Sequence, residues 1–318
     1  MRVLVIGSEG FIGRSLLRRL RAGVSLGARG AAATHIVRLD VHMPPDTVSD
    51  DERERCIAGD ITDPAVLESA LDGGIDCVFH LASVPGGAAE RDFALGLRVN
   101  LQSGISLLEA LRQAGNRPLV VFASTIGVYG VPLPAVIDED TVPAPSLSYG
   151  AHKYVSEVLL ADYSRRGYLD GRSLRLPGIV ARPPTTGMLS IFLSDVIREL
   201  SAGRPVVCPV APDAPSWWMS RSCAVDNLLH ATTLDAGQWP PTRSFLLPVQ
   251  RLTMAEVVQA IAALHGSQVL DRVSYRPDAA LQQQFANYPP LRAPRALAAG
   301  FRHDGDALTL VRRALLED

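Results

Sequence analysis

The sequence predicts an α/β protein, a doubly wound parallel sheet followed by a smaller C-terminal α/β lobe. Three observations carry this. Short apolar, β-branched runs alternate with helix-length stretches through the first half of the chain. The first run, Arg2 to Ile6, breaks at the glycine-spaced segment Gly7-Ser-Glu-Gly10-Phe-Ile-Gly13. After Pro177 the texture changes to short pieces broken by Pro183, Pro184, Pro205, Pro209, Pro212 and Pro215. Apolar strands separated by helices belong to parallel sheets covered on both faces.

The elements follow in order. A helical pattern through Ser15, Leu16, Leu17 and Leu20 succeeds the glycine segment. Strand, glycine turn and helix are the context of a dinucleotide-binding fingerprint. Gly7 allows the tight turn, Gly10 admits a pyrophosphate to the backbone, and Gly13 packs the helix on the sheet. The first helical turn, Phe11 to Gly13, offers free amides to phosphate. A second strand from His35 ends on Asp40, where a carboxylate accepts from a ribose 2′-hydroxyl and repels a 2′-phosphate. This favours NAD over NADP, with Arg38 close enough to complicate the choice. A third strand near Arg55 to Ala58 leads to Asp60-Ile61, and Asp63-Pro64 opens a helix as N-cap and first position. The fourth strand, Cys77 to Leu81, runs into Ala82-Ser83-Val84-Pro85-Gly86-Gly87. One long helix is expected from Phe93 to Ala114, then a fifth strand, Leu119 to Ala123, ending in Ser124-Thr125. A sixth strand spans Arg172 to Leu176, and Thr253-Met-Ala-Glu256 is a capping box for a helix to Leu264. The expected division is a cofactor-binding domain over 1–178 and a mainly substrate-binding lobe over 179–318, with room for the chain to recross to the sheet.

Tyr149 and Lys153 stand four apart in Tyr-Gly-Ala-His-Lys, which places them on one helix face. The spacing predicts an ammonium beside a phenol, pulling the phenol's pKa from ~10 toward the working pH. Such a phenol exchanges protons with an alcohol or carbonyl.

The net charge of −2 without basic clusters argues against nucleic acid as a partner. No apolar stretch has the ~18 residues of a membrane span, and the first apolar run is too short for a signal peptide. Four scattered cysteines and seven histidines without ligand spacing predict reduced thiols, no metal, and a cytoplasmic setting.

Gly7-x-x-Gly10-x-x-Gly13, Asp60-Ile61, His80-Leu81-Ala82-Ser83, Asn100, Ser124-Thr125-x-x-Val128-Tyr129-Gly130 and Tyr149-x-x-x-Lys153 occur in that order. With these, nearly the whole chain resembles the extended, epimerase-like branch of the short-chain dehydrogenase/reductases. The resemblance tightens at Asp92 to Leu101, Gly115 to Pro118, Pro132 to Val136, Asp162 to Gly167 and Asp170 to Pro177, toward NAD-dependent oxidation of a four-carbon sugar acid at its 2-hydroxyl. It implies a Rossmann-type fold, NAD as cofactor, and a homodimer formed through the long helix and the Tyr149 helix. It makes Tyr149 the acid/base, Lys153 its partner and holder of the nicotinamide ribose, and Thr125 the hydroxyl that orients substrate, with Ser124 as competitor. Asp60 and Ile61 resemble adenine contacts, and Leu81, Ala82 and Ser83 the wall beside pyrophosphate and ribose. Pro177 and Ile179 would back the nicotinamide, and Asn100 would support the site. A substrate carboxylate needs a cation, for which Arg182 and Arg221 are the choices; Ser190 and the Pro85 to Ala88 loop complete the expected pocket.

Epimerases of this branch place an arginine on the substrate diphosphate about five residues before a Val-Asp helix start. Here that start is Val225-Asp226, and Ser220 holds the slot. Dehydratases add an acidic pair after the threonine, where this chain has Ile126-Gly127. A nucleotide-sugar epimerase or dehydratase stays the alternative, and a non-catalytic NAD sensor is a further one, though this chain keeps both Tyr149 and Lys153.

Overall fold

Alternation along the first strand sets the architecture. On β1 (Arg2–Ile6), Val3 and Val5 enter one hydrophobic core while Leu4 and Ile6 enter another, and all four are buried. In the computed structural model, which describes residues 1–44, 47–184 and 188–316, β1 lies inside a seven-stranded sheet. The other early strands are β2 (His35–Asp40), β3 (Glu54–Ala58), β4 (Cys77–His80) and β5 (Leu119–Thr125). Beyond β5 come Asp170–Leu176 and then Ser244–Leu246. All these pairings are parallel, and β1 sits between β2 and β4. The chain order therefore reverses direction at β1, which opens a crevice at the strands' carboxyl ends where α/β sheets bind ligands.

Helices cover both faces. α1 (Phe11–Arg21) buries Leu16, Leu17 and Leu20 on the Val3/Val5 side. α2 (Pro64–Leu71) is capped by the Asp63 side chain and carries proline in its first turn, as expected, and packs on the Leu4/Ile6 side. α3 (Gly86–Arg91) and α4 (Phe93–Leu97) precede a π-helical turn, Arg98–Gln102, that runs into α5 (Ser103–Ala114). The single helix expected from Phe93 is thus interrupted. The reason is Asn100, whose amide bonds both backbone groups of Val84, Oδ1 accepting from N at 2.7 Å and Nδ2 donating to O at 3.0 Å. π-turns of this kind serve to aim one side chain.

α6 (Ser148–Arg165) carries Tyr149 and Lys153. α7 (Phe192–Ser201) and α9 (Met254–His265) form the lobe around a separate core that includes Val196, Ile197, Trp218, Val257 and Ile261. The lobe's own sheet joins Gly178–Ile179, Pro215–Met219 and Gln250–Thr253. The capping box at Thr253 and Glu256 is present. α8 (Arg221–Thr233) packs against α1 on the main sheet, and Ser244–Leu246 follows it as the seventh strand. The chain therefore leaves the sheet after Leu176, builds part of the lobe, returns for 221–246, and goes back. α8 also begins four residues before the expected Val225, because the Ser220 hydroxyl caps the Cys223 amide at 3.0 Å.

Candidate active site

A cleft of about 950 Å³ opens at the strand ends and continues under the lobe. Its volume is at the upper end of the range for small-molecule and cofactor sites. Its floor begins at the glycine turn. Gly7 has φ +84°, and a Cβ there would stand 2.7 Å from the Ala82 amide nitrogen. Gly13 brings α1 so close that a Cβ would lie 2.2 Å from the Gly7 carbonyl oxygen. Gly10 is the N-cap of α1 and supplies no side-chain cap, so the first-turn amides face the cleft with the partial positive charge of the helix end. These features fit a dinucleotide pyrophosphate.

The adenosine end is acidic. Asp40 lines the cleft, its two oxygens accepting from the Glu9 and His42 amides at 2.8 Å each. Glu9 and Asp60 line the same cleft. Arg38 is turned away: its guanidinium reaches Glu9 at 2.6 Å and the fully buried Glu54 carboxylate at 2.9 Å. It is committed to these acids and does not line the cleft, so a 2′-phosphate would meet Asp40 and Glu9 rather than the Arg38 guanidinium. Ile61, Leu81, Ala82 and Ser83 line the groove, as do Phe11, Ile12, Pro177 and Ile179.

Thr125 and Tyr149 meet where β5 ends. The Ser83 and Thr125 hydroxyls lie on the Tyr149 phenol's side of the cleft and favour its ionised form. Thr125 accepts from the Gly127 amide at 3.0 Å. α6 can come this near because residue 150 is glycine; a Cβ there would sit 2.2 Å from the Gly127 carbonyl oxygen. Burial pushes the Tyr149 phenol above its ordinary pKa, opposed by the charge of Arg182 and by the Ser83 and Thr125 hydroxyls.

Lys153 lies on the Tyr149 side of α6, as its spacing predicts, and is anchored to the end of β5. Its ammonium donates to the Ala123 carbonyl at 2.9 Å and lies 4.6 Å from the Phe122 ring centre and 5.8 Å from that of Tyr149. Burial lowers its pKa to about 7 against the opposing pull of Glu157. A second positive charge that acts on the Tyr149 phenol is Arg182. Its Nε donates to the Ile179 carbonyl at 3.0 Å, its guanidinium stands 5.0 Å from the Phe11 ring centre, and it lines the cleft. Its terminal nitrogens have no hydrogen-bond partner among the described residues.

Two further expectations change. Arg221 does not line the cleft; it packs 4.8 Å from the Phe11 ring centre and donates to the Leu316 carbonyl at 2.9 Å. Asn100 acts on the Val84 loop and is not a lining residue. Ser190 does line the cleft. Ser124 lines the cleft as expected, and its hydroxyl donates to buried Glu157, the carboxylate that Arg175 pairs.

Residues that the motifs did not point to complete the walls. Ser194, Trp217, Gln284 and Tyr288 come from the lobe and Arg98 from the π-turn. The Trp217 and Tyr288 rings are 4.5 Å apart, and the Trp217 indole donates to the Pro289 carbonyl at 2.8 Å. Only the register could have placed them: Leu176 pairs with Thr125, and Gly178 then pairs with Trp218, drawing the lobe over the strand end.

A groove of this plan, phosphate cradle at one end and a phenol beside two hydroxyls at the other, defines a nicotinamide-dependent oxidoreductase. The chain belongs to the NAD dependent epimerase/dehydratase family, whose profile it matches over residues 3–213. It is an NAD-dependent dehydrogenase of the extended short-chain branch. It is 41% identical to the D-erythronate dehydrogenase of Cupriavidus necator, over 100% of this chain and 98% of that one. The D-erythronate dehydrogenase of Haemophilus influenzae is 28% identical over the full length of both. Among solved structures, a nucleoside-diphosphate-sugar epimerase from Agrobacterium tumefaciens matches with TM-score 0.90 and 32% identity, covering 98% of this chain and 92% of the other. A GalE-like L-threonine dehydrogenase from C. necator, holo form, shares the fold with TM-score 0.83 at 23% identity over 99% of both chains.

Proposed function

We propose that the protein oxidises the 2-hydroxyl of a small sugar acid, D-erythronate to 2-dehydro-D-erythronate, with NAD. The observation that carries this is the separation of charge along the cleft. Its acidic lining residues, Glu9, Asp40 and Asp60, all lie at the adenosine end, while the end at Tyr149 has Arg182 and no carboxylate among the described residues. An anion the size of a four-carbon acid suits that end: a guanidinium pairs with a carboxylate through charge-assisted hydrogen bonds. The name of the C. necator relative supports the same substrate.

In this reading Arg182 holds the carboxylate and Thr125 and Ser83 orient the C2 oxygen. Tyr149, as phenolate, takes the hydroxyl proton. NAD, when bound, accepts the hydride from C2. Gly7 to Gly13 would hold its pyrophosphate, Asp40 its adenosine ribose, and Lys153 its nicotinamide ribose. Pairing with a second copy is proposed through neighbouring helices that expose Phe93, Ile105, Val155 and Val158. The four cysteines are free thiols, which supports a cytoplasmic setting, and among the described residues no helix is long and apolar enough to cross a membrane.

The second reading, a nucleotide-sugar epimerase, is favoured by the name of the A. tumefaciens structure. Against it, Ser220 is fully buried, bonded to Asp304 through its amide at 2.8 Å, and Arg221 beside it is turned out of the cleft. Four- to six-carbon aldonates assayed with NAD and NADP at the nicotinamide absorbance test the proposal, with Tyr149→Phe as control. D-Erythronate and NAD should give the fastest turnover and the Tyr149→Phe variant none. Turnover of UDP- or GDP-sugars with no aldonate oxidation would replace it by the second reading.

A further inference from the structure

A buried ion pair lies beneath the cleft, and neither of its members is a lining residue. Glu157, 2% exposed, lies on α6 eight residues beyond Tyr149 and four beyond Lys153. Its carboxylate receives the Arg175 guanidinium at 2.7 Å from Nη2 and at 3.1 Å from Nε. The same carboxylate accepts the Ser124 hydroxyl. Arg175, from the strand next to β5, donates through its remaining nitrogen Nη1 to the Tyr129 hydroxyl at 2.9 Å. Ser124 immediately precedes Thr125, and Tyr129 closes the short helical turn, Ile126–Tyr129, that follows it. The pair therefore grips the polypeptide on both sides of Thr125, and it does so from the helix that presents Tyr149.

We propose that Glu157, acting with Arg175, is a positioning residue that locks the Ser124–Tyr129 segment to α6 and so fixes Thr125 against Tyr149. This rests on the reading of Thr125 and Tyr149 given above. Desolvating two charges is expensive, and well-packed apolar residues commonly replace such a pair without loss of stability. Stability alone therefore does not account for its presence. The five hydrogen bonds of the two charged side chains all lie within the pair or end on the segment around Thr125. Glu157 is also the anion whose pull opposes the burial-driven lowering of the Lys153 pKa. The other titratable groups facing this cluster are His80, which adjoins Lys153, and Asp138, which adjoins Tyr129.

The test compares Glu157→Gln with the double variant Glu157→Gln, Arg175→Met. The single change leaves the Arg175 charge unmatched and should lower both Tm and kcat. The double change removes both charges, so Tm should recover while kcat stays depressed about tenfold or more, as expected when reacting groups lose their alignment. The KM for NAD should stay within about twofold, since the pyrophosphate cradle is untouched. Hydrogen exchange by mass spectrometry, run on the NAD-bound proteins, should show faster exchange in residues 124–129 in both variants. If kcat and exchange in that segment return to wild-type values together with Tm, or if exchange never changes, the pair is a stabilising contact only and the proposal fails. The exchange readout needs no substrate, so a protein that oxidised no sugar acid would defeat the functional reading while leaving this one decided.

Discussion

The Lys153 ammonium stands 5.8 Å from the centre of the Tyr149 ring while donating to the Ala123 carbonyl at 2.9 Å. A helix brings positions four apart onto one face, and Lys153 bends beneath β5 to reach the Ala123 carbonyl. A further charge that favours phenolate is Arg182, in the segment after the sixth sheet strand, where the substrate's carboxylate is proposed to bind.

Replacing Arg182 by methionine should then act twice. Loss of a charged hydrogen-bond partner should raise KM for the sugar acid about 10- to 100-fold. Loss of its potential lets the Tyr149 pKa rise further, so the pH at which kcat/KM reaches half its plateau should move upward. Initial rates over pH for wild type and variant check both, and an unmoved pH profile would show that Arg182 does not govern the phenol.

Cofactor choice should follow Asp40. Asp40→Ser removes a carboxylate that can take two ribose hydrogen bonds, and should cut the NAD over NADP preference about 10- to 100-fold. The gain in absolute NADP activity should be small, because Arg38 stays held by Glu9 and Glu54. The ratio of kcat/KM values for the two cofactors is the measurement. If Asp40→Ser kept the wild-type ratio, discrimination would lie elsewhere in the groove.

His80 should make the fold acid-sensitive. Burial and the neighbouring Lys153 hold its pKa at about 3, and its Nδ1 has no hydrogen-bond partner. In the unfolded chain it titrates near ~6.5. The folded state therefore binds fewer protons between those values, and stability is complete above about 6.5 and declines as pH falls toward about 3. Melting temperatures should fall less steeply below pH 6 for His80→Phe than for wild type. Parallel curves would show that this ring is not the source.

Self-association is tested at Val158, which is 53% exposed on α6. Val158→Glu should halve the mass observed by light scattering if the proposed pairing uses this helix. A wild-type protein that already runs at monomer mass would remove the dimer from the reading.

The strand–glycine–helix start and the Asp63 and Thr253 caps were legible because local chemistry dictates each of them: φ > 0 at Gly7, and side-chain oxygens on orphan amides. Long-range placement was not. Nothing in the neighbourhood of Arg221 in the chain shows that it lies on Phe11 with its back to the cleft. Nor does Tyr288 announce that it meets Trp217 across 70 intervening positions. The Glu157–Arg175 pair escaped for the same reason, since a carboxylate one helical turn past Lys153 looks like an ordinary solvated side chain until the neighbouring strand supplies its partner.

The return of the chain to the sheet has a consequence for dissecting the protein. Cutting after residue 178 would not liberate a self-sufficient nucleotide module. It would strip Ser244–Leu246 from the edge of Asp170–Leu176 and lift α8 from α1, baring Leu16, Leu20 and Leu174 to water. An uncovered edge strand beside an uncovered apolar face invites aggregation, so the amino-terminal half on its own should be recovered as insoluble material.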